Sequence, residues 1–202
     1  FKSVHMQHFS KLETRIYMNV FYYTLGCKVN QYETENIREQ LTRLGFSETE
    51  EIARADICVI NTCTVTAQSD SKCRQLIRRI KKENPGCVLA VIGCLPQAFP
   101  GQVNALSQCD IIIGTKNKSA LPKLIMQYLS NGERIVDIEE HKTGDSIEKM
   151  INTSVAGKTR AYIKIQDGCD MNCSYCIIPK ARGHIRSKCL EDITREATEL
   201  SS

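Results

Sequence analysis

The sequence predicts an α/β fold, a parallel sheet covered by helices on both faces and followed by the opening of a second α/β unit. Two observations carry this. Short apolar runs rich in Val, Ile, Phe and Tyr alternate with longer stretches at helical spacing, and the runs end at Gly-Cys, Asn-Thr-Cys or Gly signals. Several runs are apolar at consecutive positions, as in strands buried on both sides of a parallel sheet.

The elements follow in order. Residues 19–24 read as a strand ending at Gly26-Cys27. Ile37, Leu41 and Leu44 give helical spacing over 32–44, stopped by Gly45. A strand over 57–60 ends at Asn61-Thr62-Cys63, and Leu76, Ile77 and Ile80 mark the inner face of a basic helix over 69–83. Strands are expected over 88–92, ending at Gly93-Cys94, and over 111–113, ending at Gly114, then a helix over 122–129 and an edge strand within 133–138. Residues 18–140 thus form one domain, and the polar, aperiodic stretch 141–159 reads as a linker. A strand over 162–166, where Ile163 and Ile165 alternate with polar neighbours, and a helix over 190–200 open an incomplete second domain over 160–202. Residues 1–17 read as a non-native extension or disordered tail, with no apolar run that would make a signal peptide or membrane span.

The composition is that of an ordinary globular chain, 42% hydrophobic, with a net charge of +4 that permits nucleic-acid contact without arguing for it. Eleven cysteines are an odd number and too many to ignore. Without a secretory signal they point to metal ligation in a reducing, cytoplasmic setting rather than to disulfides.

The cysteines sort by position. Cys169, Cys173 and Cys176 form a CxxxCxxC loop after the second-domain strand. Three thiolates can hold an iron-sulfur cluster with one iron left open. Zinc, with His184 or Cys189 completing a tetrahedral set, and plain packing are the alternatives from this loop alone. Cys27, Cys63 and Cys94 each lie just past the end of a different expected strand, so a parallel sheet brings them to the edge where α/β folds gather ligands. Cys58, Cys73, Cys87 and Cys109 fall within or at the far ends of elements and read as packing residues, and Cys189 as structural.

The loop, with Tyr175 before its last cysteine, resembles the radical S-adenosylmethionine (SAM) signature. Together with residues 24–35 (TLGCKVNQYETE), Asn61-Thr62-Cys63-Thr64-Val65, Gly93-Cys94-Leu95-Pro96-Gln97, Ile177-Ile178-Pro179 and Ala181-Arg182-Gly183, it resembles the methylthiotransferases, most of all the branch acting on threonylcarbamoyl-adenosine in tRNA. Sister branches act on isopentenyl-adenosine or on a ribosomal-protein aspartate. Lys180 departs from the pattern, standing where relatives often have an aromatic residue. The resemblance implies a flavodoxin-like amino-terminal domain followed by the first βα unit of a partial TIM barrel. It implies two 4Fe-4S clusters, on Cys27, Cys63 and Cys94 and on Cys169, Cys173 and Cys176, the latter set also being the catalytic one. SAM is the implied cofactor, and carbon 2 of the adenine receives sulfur and methyl by radical chemistry. By likeness alone, Tyr175, Asp167 and Arg182 are cofactor contacts and Gln97 a supporting residue. Implied partners are tRNA and an electron donor such as flavodoxin or ferredoxin, with no membrane, the protein acting as a monomer. A non-catalytic metal-binding module is the competing class, and the fragment alone is expected to be inactive.

Three further expectations concern polar residues. Asn30 and Asn61 flank cluster cysteines and read as helix caps or as donors to sulfur. Lys180, Arg182, His184, Arg186 and Lys188 recur at every second position, so an extended strand would aim them together at phosphate. Lys72, Arg74, Arg78, Arg79, Lys81 and Lys82 read as a solvated helix face.

Overall fold

β1 (Asn19–Thr24) starts the sheet in a computed structural model that describes residues 18–153 and 160–201. The expected extension 1–17 and the linker's 154–159 lie outside the described residues. After β1 come α1 (Lys28–Arg43), β2 (Ser47–Glu48), β3 (Ile57–Thr62), α2 (Ala67–Glu83), β4 (Val88–Gly93), α3 (Cys94–Ala98), β5 (Ile111–Ile113), α4 (Leu121–Asn131) and β6 (Ile135–Asp137). The strands form one six-stranded sheet, ordered β2-β1-β3-β4-β5-β6 and parallel at every pairing. This is the flavodoxin-like order with a further edge strand, and the order reverses between β1 and β3.

The strands alternate in what they bury. Cys58, Ile60, Leu89, Val91 and Ile112 face the core under α2, whereas Ile57, Val59, Ala90, Ile92, Ile111 and Ile113 face the core under α1 and α4. Every residue of β3 and β4 is buried, which is why their sequences are apolar throughout. Cys58, Cys73, Cys87 and Cys109 all lie in the core under α2, as packing residues should. Burial pushes the Cys73 and Cys109 thiols up to about 12, so they stay protonated.

Most element positions agree with the sequence expectations, and the differences have local causes. α1 starts four residues earlier than apolar spacing shows, because its first turn, Lys28 to Gln31, carries no apolar stripe. α2 begins at its cap Thr66, whose side chain accepts from the Ser69 N–H at 3.2 Å. Edge strand β2 is two residues long and exposed, so it leaves no pattern to read.

The second region differs more. The expected strand over 162–166 is reduced to β7 (Gln166–Asp167), which pairs antiparallel with β8 (Arg186–Ser187). Among the described residues, 160–165 have no strand to pair with, so alternation at Ile163 and Ile165 does not become a ladder. Between them lies the short helix α5 (Ile178–Arg182), and α6 (Leu190–Ser201) follows where helical spacing places it.

Residues 141–153 of the expected linker lie against the first domain. The Tyr32 hydroxyl of α1 lies 2.6 Å from the Met150 carbonyl and 2.7 Å from Glu196 of α6, with one proton to share between these acceptors. Lys188 donates to the same carbonyl at 2.8 Å and to Glu196 at 2.5 Å, all within the buried interior. The two regions are therefore joined here by a buried polar network.

Candidate functional site

The first cysteine triad is built by strand register. Thr24 pairs with Asn61 and Thr62 with Gly93, so Cys63 and Cys94 leave neighbouring strands at the same level. Cys27 follows the β1 turn and occupies the position just before α1. All three sit at the carboxyl edge of the sheet, beside the point where strand order reverses. Gly26 makes this closeness possible: its φ is +106°, and a Cβ there would lie 2.5 Å from Cys63 Cβ and 2.8 Å from its Sγ.

Asn30 ties the triad together. Its side-chain amide donates to the Leu25 carbonyl at 2.8 Å and the Thr62 carbonyl at 2.9 Å, and its Oδ1 accepts from the Cys27 thiol at 3.9 Å. Asn61 donates to the Asn30 carbonyl at 3.0 Å and to Thr34 Oγ1 at 3.1 Å. Neither asparagine caps a helix, which corrects the expectation: both cross-link the turns that carry cysteines.

The second triad lies on the loop between β7 and α5. Cys173 is exposed and Cys169 and Cys176 are half-buried. The Cys169 N–H donates to the Gly183 carbonyl at 3.0 Å, the Cys176 N–H to the Cys173 carbonyl at 2.9 Å, and Asn172 holds a left-handed φ of 45°. The loop is thus shaped by backbone bonds. His184 Nδ1 bonds Asp170 Oδ1 at 2.9 Å instead of facing the thiols. Cys189 is exposed just before α6, which corrects the expectation of a packed side chain.

The triads meet across two short helices. Cys94 at the start of α3 and Ala98 at its end share an apolar cluster with Ala181 of α5 and with Ile177, the residue after Cys176. Thr115 at the end of β5 donates to the Ala181 carbonyl at 2.6 Å. Gln97, read as a supporting residue, accepts from the Thr115 N–H at 2.8 Å and donates to the Glu139 carbonyl at 2.9 Å. A cavity of about 480 Å³ opens between Cys169, Asp170, Lys180 and His184 on one side and Gln97 and His141 on the other.

Asp167 and Arg182 are both buried, and their polar groups are given to the protein. Arg182 donates to Asp167 at 2.9 and 3.1 Å, to Glu33 at 3.0 and 3.3 Å and to Asn30 Oδ1 at 2.6 Å. Glu33 also pairs with Lys118 and with Lys164, the latter at 3.1 Å. Burial alone would raise the Glu33 carboxyl, but Arg182, Lys118 and Lys164 outweigh it and hold it well below the usual range. Asp167 is lowered in the same way, burial being outweighed by Arg182 and Lys164. Tyr175, by contrast, is 90% exposed.

The basic alternation after the loop does not form a strand face. Lys180 and Arg182 are on α5, Arg182 and Lys188 are buried in ion pairs, and Arg186 reaches His141 Nδ1 at 2.6 Å. Only Lys180 and His184 of the five are exposed, so the expected phosphate-facing row is corrected to two separate side chains. Glu33, Lys118 and Lys164 were missed in sequence because a charge in an amphipathic or irregular stretch reads as solvated; only four-way burial reveals them.

Among the described residues no three His, Cys, Asp or Glu side chains gather closely enough for a single metal ion. The donor set nonetheless suits iron-sulfur clusters. Each triad offers three free thiols, and thiolates bound to different irons of a cluster need not converge on one point.

The fold defines an α/β domain with three cysteines at the carboxyl edge of its parallel sheet. Residues 19–114 match the family model described as Uncharacterized protein family UPF0004. The chain is 39% identical over 90% of its length to the threonylcarbamoyladenosine tRNA methylthiotransferase MtaB of Bacillus subtilis, covering 40% of that protein. It is 33% identical over 91% of its length to the Aquifex aeolicus MtaB, covering 45% of it. The tRNA-2-methylthio-N(6)-dimethylallyladenosine synthase of Halalkalibacterium halodurans is 37% identical over 88% of the chain, which covers 34% of that enzyme. The chain resembles these methylthiotransferases over most of its length and spans less than half the length of these curated relatives.

Proposed function

We propose that this chain carries the two cluster sites of a radical SAM tRNA methylthiotransferase acting on threonylcarbamoyl-adenosine, with Cys27, Cys63 and Cys94 holding one 4Fe-4S cluster and Cys169, Cys173 and Cys176 the other. The observation that carries this is the meeting of the triads across α3 and α5, where Cys94 and Ile177 share one apolar cluster. Bound there, the clusters and SAM would supply electron transfer and radical generation, chemistry that no side-chain acid or base performs.

The chain's own residues arrange the rest. Asn30 and Gly26 set the spacing of Cys27 and Cys63. Asp167 and Arg182, expected as cofactor contacts, pair with each other behind the second loop, and Tyr175, exposed beside Cys176, is left free to meet a bound cofactor. The domain division is 18–140, with 141–159 linking it to 160–202. We take an external one-electron donor such as flavodoxin or ferredoxin, a monomeric state and a cytoplasmic location as parts of the same reading. No helix among the described residues is long and apolar enough to cross a membrane.

Anaerobic reconstitution with iron and sulfide tests the sites: two clusters per chain are expected, with one lost on Cys94→Ala and the other on Cys173→Ala. Nucleoside analysis of tRNA from cells lacking the full-length protein tests the substrate. Loss of the methylthio group from threonylcarbamoyl-adenosine supports the reading, whereas loss from dimethylallyl-adenosine moves it to the sister branch that the Halalkalibacterium relative's name describes.

A further inference from the structure

The ion network behind the two triads is unbalanced. Lys118, Lys164 and Arg182 are buried against Glu33 and Asp167. Arg186 adds a further cation, 3.8 Å from Asp167, with its other contacts made to the neutral acceptors His141 Nδ1 and the Arg182 carbonyl. Glu148 lies near Lys164, and burial opposes its ionisation. Even with Glu148 ionised, the cations outnumber the carboxylates. A buried surplus of charge is costly unless an opposite charge sits close by.

The surplus has a direction. Arg182 reaches the first triad from the second-triad region, through Asn30 Oδ1 at 2.6 Å, and Asn30 itself contacts the Cys27 thiol. Lys118 reaches it from the other side, 3.4 Å from Asn61 Oδ1, two residues before Cys63. An iron-sulfur cluster on three thiolates is anionic, and reduction adds a further negative charge. Net charge around a cluster is one of the factors that set its reduction potential.

We infer that Arg182, together with Lys118, is a positioning and charge-setting residue for the Cys27, Cys63 and Cys94 site, supplying from the second-triad region the positive charge that favours the reduced state of a cluster held there. This rests on the proposed function above, and it adds to that reading a coupling between the two sites: the α5 segment that follows one triad sets the electron affinity of the other. Electrostatics of this kind act over the few ångströms seen here and are little screened by solvent in a buried network.

The test is an EPR-monitored redox titration of the reconstituted full-length protein with Cys169, Cys173 and Cys176 replaced by Ala, so that a single cluster remains. Arg182→Gln and Lys118→Gln are each expected to shift its midpoint potential to more negative values with iron and sulfide content unchanged. Arg182→Lys, which keeps the charge, is expected to stay near the parent. Lys118→Gln decides the matter if Arg182→Gln does not fold, since Gln retains a polar group beside Asn61. Potentials that stay at the parent value in the loaded variants overturn the inference while leaving the cluster assignment intact. A parent protein that takes up no cluster overturns both.

Discussion

Arg182 of α5 donates to Asn30 Oδ1 at 2.6 Å, joining a residue six positions after Cys176 to one three positions after Cys27. That single bond crosses from the loop of one cysteine triad to the helix that starts beside the other. Glu33, one turn along the same helix, accepts from both terminal nitrogens of the same guanidinium, at 3.0 and 3.3 Å.

Glu33 is the anion on which this arrangement depends. Glu33→Gln leaves Lys118, Lys164 and Arg182 without their shared counter-charge in the interior, where breaking a buried pair costs about 3–5 kcal/mol. Chemical denaturation of the apo chain should show a loss of that order. The carboxyl is depressed in the folded state, so its contribution is full above its unfolded pKa, about 4.3, and is lost as pH falls from there toward the folded value.

His141 gives a separate pH window. Burial, then the Arg186 charge, lowers its pKa to about 4, so the folded state prefers the neutral ring that accepts or shares bonds with Thr115 and Arg186. The unfolded chain titrates near 6.5, about the ordinary histidine value. Stability is therefore expected to fall as pH drops from about 6.5 toward 4, before Glu33 titrates, and the slope in that window should flatten in His141→Gln. Equal slopes for the two proteins would remove His141 as its source.

Gly26→Ala tests the first triad without touching a thiol. The φ of +106° and a Cβ position 2.5 Å from Cys63 Cβ force the β1 turn or Cys63 to move. Reconstituted iron should fall by about one cluster's worth, with the second site retained; a full complement of iron would show that the turn can absorb the methyl group.

The two triads differ in how far sequence alone could define them. Cys27, Cys63 and Cys94 were placed by strand ends, because a parallel sheet fixes where a residue after each strand must fall. The CxxxCxxC loop needed no fold at all, since its spacing is local. Lys180 to Lys188 misled because alternation implies a shared direction only in a strand; Lys180 and Arg182 lie on a helix, and Arg182 and Lys188 are drawn inward by Glu33, Asp167 and Glu196. Such partners lie up to 149 positions away in sequence, beyond the reach of any local pattern.

Tyr32 shows the same long-range pairing at the back of the site and yields the last prediction. Its hydroxyl donates its one proton between Glu196 and the Met150 carbonyl, and accepts from Lys188 Nζ at 3.2 Å. Burial and the Glu196 hydrogen bond raise its pKa, so it remains a neutral donor across the working range. Tyr32→Phe keeps the ring under the Lys188 and Lys164 cations at 5.5 and 5.9 Å but strands the buried Glu196 carboxylate of one donor. The expected cost is about 1–3 kcal/mol, the penalty for a buried polar group left partly unsatisfied. Because the lost bonds are among those that hold α6 and residues 150–152 to α1, amide hydrogen exchange should quicken in α6 and at 150–152 while β3 and β4 stay protected. Uniform acceleration throughout the sheet would mean that the two regions unfold as one unit and that Tyr32 is not a local latch.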